Sequence, residues 1–177
     1  MNLLHGKIAF PEHFPNHFHL DIVRKYLKWT LLALIAAFGL LQLTNLGRTT
    51  PAVTPGHDLS STNPPPTEIS TMLRSACYDC HSYETHWPWY GYVAPVSWWL
   101  DEHVRDARER LNFSEWPHDD AQRAAKKWRH IADSVREGDM PLPSYIKLHR
   151  AARLTQEQRN KLADWAEQEA ERLSPVK

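Results

Sequence analysis

Cysteine is nearly absent, with two residues in a chain of 177. That scarcity excludes a disulfide framework and any all-cysteine zinc or iron–sulfur site. Glycine is also scarce, six residues against thirteen prolines, which favours helices broken by stiff connections over a glycine-punctuated β-barrel. There is no excess of either charge, since 21 basic and 21 acidic residues cancel. The chain lacks the global field that draws a protein onto nucleic acid, and no nucleic-acid partner is expected. No alternating run of strand length occurs anywhere. The length itself holds about one domain plus accessories, which speaks against a multidomain enzyme.

One long uncharged stretch is present, from Trp29 to Leu46. As a helix it would measure about 27 Å, close to the ~30 Å hydrocarbon core of a bilayer, so a single-pass transmembrane anchor is expected over residues 29–46. Lys7, Arg24, Lys25 and Lys28 precede it against Glu12 and Asp21, whereas the twenty residues after it offer Arg48 against Asp58. This bias places residues 1–28 in the cytoplasm and everything after Leu46 in the periplasm, tethered to the inner membrane. No small-x-small cleavage site follows the run, which argues against a removable signal peptide. His5, His13, His17 and His19 stand in the tail, but Pro11 and Pro15 oppose the helix that would put His13 and His17 on one face. Residues 47–66 are aperiodic and rich in Pro, Ser and Thr, as a tether would be.

Residues 67–177 then read as helical throughout. Ile69, Met72, Leu73 and Ala76 give a helix running into the cysteine pair. Pro95 opens a second, with Val96, Leu100, Val104, Ala107 and Leu111 on one face. A third begins at Asp119 and stops at Gly138. Thr155 with Gln158 forms a capping-box pattern for a fourth through about Leu173, aided by a Glu157 to Lys161 pair. The fold expected is all-α.

The chemistry centres on Cys77-Tyr-Asp-Cys80-His81, the c-type haem attachment pattern. Two thiols one helical turn apart meet the two vinyl groups of one porphyrin, and the next residue reaches the iron. A thioredoxin-like dithiol would want a βαβ unit, and a zinc site would want paired ligands downstream; neither is present. The periplasmic side is also where covalent haem is attached in bacteria. For the second axial position, Met72 is too close to the motif, and Met140 in Gly138-Asp-Met-Pro-Leu-Pro143 is the methionine able to reach the far face. His86, His103, His118, His130 and His149 are rivals, with His103 and His130 favoured by their place on helices. Among eight tryptophans, Trp89 and Trp99, with Tyr90, are expected nearest the porphyrin.

The stretches C-Y-D-C-H-S (77–82), W-P-W-Y (87–90), A-P-V-S-W-W-L (94–100), L-N-F-S-E-W (111–116) and G-D-M-P-L-P-S-Y (138–145) together resemble the bacterial haem-binding-domain family of membrane-tethered c-type cytochromes, over about residues 68–172. The resemblance implies a cytochrome-c-like helical domain with one covalent haem c, His81 proximal and Met140 distal. The function expected is a membrane-anchored electron carrier exchanging electrons with an unidentified redox partner protein, rather than a catalyst. A peroxidase or an oxygen- or nitric-oxide-reacting haem protein with an open distal site is the alternative. A haem-bearing subunit or sensor of a respiratory complex is the third.

Overall fold

The computed structural model describes residues 16–45, 50–117 and 119–174. The chain divides between Thr44 and Asn45 into two compact units. The first contains helix α1, Asn16–Gln42, continued by a 3-10 turn at Leu43–Asn45. His5 and His13 lie outside the described residues, as do the side chains of His17 and His19.

The continuous spanning helix expected over 29–46 is not found, because among the described residues no helix is long and apolar enough to cross a membrane. Gln42 turns its side-chain amide back to the Phe38 carbonyl (3.0 Å) and the Thr44 hydroxyl donates to Leu41 (2.7 Å). Helix-end carbonyls are thereby satisfied, α-helical pairing ends at Gln42, and the uncharged part of α1 is only residues 29–42. Leu31, Leu32, Leu34, Ile35, Phe38 and Leu40 are all at least half exposed.

The second unit carries α2 (Leu59–Thr62), α3 (Thr67–Ala76), α4 (Tyr78–His81), a 3-10 turn at Trp89–Tyr92, α5 (Val96–Arg110), α6 (Ala121–Glu137), α7 (Pro143–Leu148), a 3-10 turn at Arg150–Ala152 and α8 (Gln156–Leu173). No strand occurs among the described residues, so the all-α expectation holds. The most extensive helix–helix contact is α6 on α8. Helix α6 is capped by the Asp120 side chain, which accepts from Arg123 N, one residue later than expected, and it stops at Gly138 with φ 85°, a left-handed conformation that suits glycine. The Thr155–Gln158 capping box opens α8. Lys161 pairs with Glu68 of α3 instead of Glu157, tying the last helix to the one that leads into the cysteines.

The core joins Leu59, Leu73, Phe113, Trp128, Val135 and Leu162, all fully or almost fully buried. Aromatic rings run through it in sequence: Tyr78 stacks on Phe113 (4.9 Å), Phe113 on Trp116 (6.1 Å), and Trp128 meets Trp116 (4.5 Å) and Trp165 (4.8 Å). The tether expected over 47–66 is partly built into this core. Asp58 caps α2, Leu59 is wholly buried, Leu59 N donates to Phe113 O (2.8 Å) and Trp116 N to His57 O (2.8 Å). Burial of one leucine and two backbone bonds to the 113–116 loop outweigh the polar composition around them.

Candidate functional site

Helix α3 breaks at Cys77, whose φ of −125° and ψ of −37° leave the helical line before α4 resumes. The Cys77 carbonyl then accepts from Cys80 N (3.2 Å) and His81 N (2.9 Å), so a single turn places both thiols and the imidazole. Both cysteines are free thiols. Burial pushes the Cys77 thiol up to about 12, helped by the nearby Cys80, and Cys80 to about 11, helped by Asp79. Neither is a thiolate at neutral pH.

His81 is oriented by the end of α5. Its Nδ1 lies 3.1 Å from both the Ala107 and the Leu111 carbonyl oxygens. Carbonyls only accept, so Nδ1 carries the ring proton and donates, leaving Nε2 with its lone pair. Burial holds the imidazole pKa below its usual value against the opposing pull of the two carbonyls, so the ring is neutral. Phe113 supports it twice, through Phe113 N donating to His81 O (2.7 Å) and an edge-on ring contact at 6.4 Å.

Two adjoining clefts share Ala76, Cys77, His81, Arg110, Met140 and Pro141. The inner one is walled by Leu111, Phe113, Ile131 and Val135; the outer adds Cys80, His103 and Tyr145. They enclose about 640 and 890 Å³ of empty space, partly open to solvent. Met140 is placed from both sides: its N–H donates to Ser134 O (3.1 Å), and its carbonyl accepts from Arg159 Nη1 (2.9 Å), which also reaches Val135 O (3.3 Å). Tyr145 OH donates to Asp79 Oδ2 (2.7 Å), linking α7 to one of the two residues between the cysteines.

The donor set suits haem. The cleft offers apolar walls to a flat ring, a neutral imidazole and a thioether to iron, two protonated thiols to vinyl groups, and Arg110 to carboxylates. The haem-binding domain family model matches residues 36–168, 133 of the 177 residues. The chain belongs to the haem-binding domain family. Haem is therefore its cofactor, and the match begins inside α1, well ahead of residue 68 where the sequence resemblance starts. No curated protein and no solved structure matches the chain.

Within this family member, Cys77, Cys80, His81 and Met140 converge on the clefts, and two of the rival histidines do so as well. His130 lines the inner cleft and His103 the outer. His86 is exposed and pairs with Asp79 (3.2 Å), His149 stacks on Tyr145 (4.0 Å), and His118 lies outside the described residues. Trp89 and Trp99 do not line the clefts: they are 79% and 52% exposed. Tyr90 lines a neighbouring cavity beside Cys80 and Tyr145. The aromatic walls are instead Phe113 and Tyr145. Phe113 stands in a motif the sequence resemblance had marked, whereas Arg159 carries no sequence signal of its role.

Proposed function

We propose that the protein is a membrane-anchored, single-haem c-type cytochrome that carries electrons in the periplasm. The observation that supports this most directly is the Nδ1 bond of His81 to two backbone carbonyls, which leaves a neutral Nε2 in a cleft shared with Cys77 and Met140. His81 is the proximal ligand. Cys77 and Cys80 supply S–H groups that add across the two vinyl groups, a step that needs no oxidant. Met140 is the distal ligand, brought to the cleft by Ser134 and Arg159. Bound haem supplies an iron that exchanges one electron. With His81 and Met140 both holding the group, that exchange would need little rearrangement, which favours a carrier over a catalyst with an open site.

The anchor is residues 29–46. The α-helical part is short, but the 3-10 turn at Leu43–Asn45 adds about 6 Å, and apolar side chains exposed at successive positions of α1 call for a lipid surround. A histidine reading of the distal ligand uses His130 or His103, since both line the clefts.

The test is a reduced-minus-oxidised spectrum and a pyridine haemochrome assay on the membrane fraction, with a haem-stained denaturing gel. Stain near 20.6 kDa and a sulfur-to-iron band in the oxidised protein are expected. Haem extractable by acid acetone overturns covalent attachment. A band that survives in Met140→Ala overturns Met140 as ligand and turns attention to His130 and His103.

A further inference from the structure

The chain is neutral as a whole, yet its charges are not evenly spread. A groove between the end of α5 and the first half of α6 is lined by Glu109, Arg110, Arg123, Lys126, Lys127 and His130, four permanent cations against one carboxylate. Four cations elsewhere in the second unit are paired, Arg74 with Glu84, Arg136 with Asp164 and Glu167, Lys161 with Glu68, and Arg172 with Glu169, while others such as Arg105, Lys147 and Arg153 stand singly. Among the described residues none of the four groove cations has such a partner. Lys127 donates to the Arg110 carbonyl and draws the two helices together. Burial first, and then the charges of Arg123 and Lys126, hold its pKa below the usual lysine value. Arg110 and His130 also line the inner cleft beside His81 and Met140, so the groove adjoins that cleft.

We propose that this groove is a docking surface for a carboxylate-rich patch on the redox partner protein. The inference rests on the carrier reading above and adds to it the chemistry of the partner. An acidic surface is recognised here by local charge complementarity, which sets orientation and encounter rate more than affinity. A partner seated on Arg123 and Lys126 lies beside the cleft that holds His81, which is where an electron has to leave.

The experiment uses the full haem-loaded chain in detergent and follows oxidation of the reduced protein by two one-electron acceptors. One is anionic hexacyanoferrate(III), the other cationic tris(phenanthroline)cobalt(III). The anion's rate should fall as salt rises, and Arg123→Gln with Lys126→Gln should lower it about tenfold at low salt while the cation's rate does not fall. An anion rate flat with salt and unmoved by the double variant overturns the proposal. A shift of the haem spectrum or midpoint potential in that variant also overturns it, since these cations would then serve the haem's own carboxylates. A hexaglutamate peptide, titrated by calorimetry, separates this proposal from the carrier reading because its binding needs no haem. Failure to bind a protein with an intact haem spectrum overturns the docking surface alone. Salt-sensitive binding to a protein that shows no haem spectrum supports the groove and overturns the carrier reading.

Discussion

His81 and Met140 line the same clefts but are held in opposite ways. His81 is fixed through its side chain, by two carbonyls at the end of α5. Met140 is fixed through its backbone, by Ser134 O and the Arg159 guanidinium, and its thioether carries no such restraint. On the ligation proposed above, the His81 wall would orient a ligand atom before the cofactor arrives, while the Met140 wall would deliver a loop and leave its side chain to find the iron. The two sides of the proposed ligand shell would then differ in permanence: a rigid imidazole backed by the aromatic core, and a soft thioether in clefts that His103 and His130 also line.

The largest effect is expected from breaking the backing of the proximal wall. Phe113 stacks on Tyr78 and Trp116 and touches His81 edge-on, and it is almost wholly buried. Phe113→Ala should cost about 3–5 kcal/mol, read from denaturant unfolding of the haem-loaded protein. A loss under about 1 kcal/mol would mean that the loop collapses onto the vacancy and that the proximal wall is no stiffer than the distal one.

How much of this contrast was legible in the sequence follows the same line. The His81 side was readable because the haem attachment pattern has a fixed spacing that Cys77, Cys80 and His81 match, and Gly138 and Thr155 announced the end of α6 and the start of α8, whereas the start of α6 was read one residue early, at Asp119. The distal side was readable only as far as Met140. The helix that follows it was not foreseen: Pro143 is the first residue of α7, where proline's fixed φ and missing N–H suit a helix start. Nothing near Leu59 marked it as core, since a lone apolar residue among Pro, Ser and Thr has no period to detect. Trp89 and Trp99 were placed at the haem for their nearness in sequence, whereas the cleft is walled by Phe113 and Tyr145, which lie 32 and 64 positions beyond His81 (113 − 81 and 145 − 81). Arg159, 19 positions from the carbonyl it holds, looked like any solvated helix charge.

A smaller effect, confined to the distal wall, is expected from Arg159→Met. The variant keeps much of the side-chain length but leaves the Met140 and Val135 carbonyls without their cationic donor, a loss of about 1–3 kcal/mol. The sulfur-to-iron band of the oxidised protein should weaken and the reduced protein should gain affinity for carbon monoxide, while haem-stained gels stay unchanged. An unaltered band would show that Ser134 alone suffices to place the loop.

The smallest expected effect comes from Tyr145→Phe, which removes one hydroxyl and keeps the ring stacked on His149 at 4.0 Å. Tyr145 OH donates to Asp79 Oδ2, and burial followed by the Asp79 charge pushes the phenol pKa upward, so the group stays a donor across the physiological range. Its loss leaves Asp79 with the His86 backbone N–H (3.0 Å) and imidazole (3.2 Å), a carboxylate still served on its other oxygen. The cost should therefore be about 0.5–1.5 kcal/mol, the net worth of one hydrogen bond whose acceptor keeps other partners. Because that bond joins α7 to α4, amide exchange should quicken at residues 143–148 and stay unchanged at 67–81, where backbone bonds and the aromatic stack hold the attachment helix without help from Tyr145. Faster exchange over 67–81 as well would mean that the two walls are one cooperative unit, and the contrast between a fixed proximal side and a movable distal side would fail.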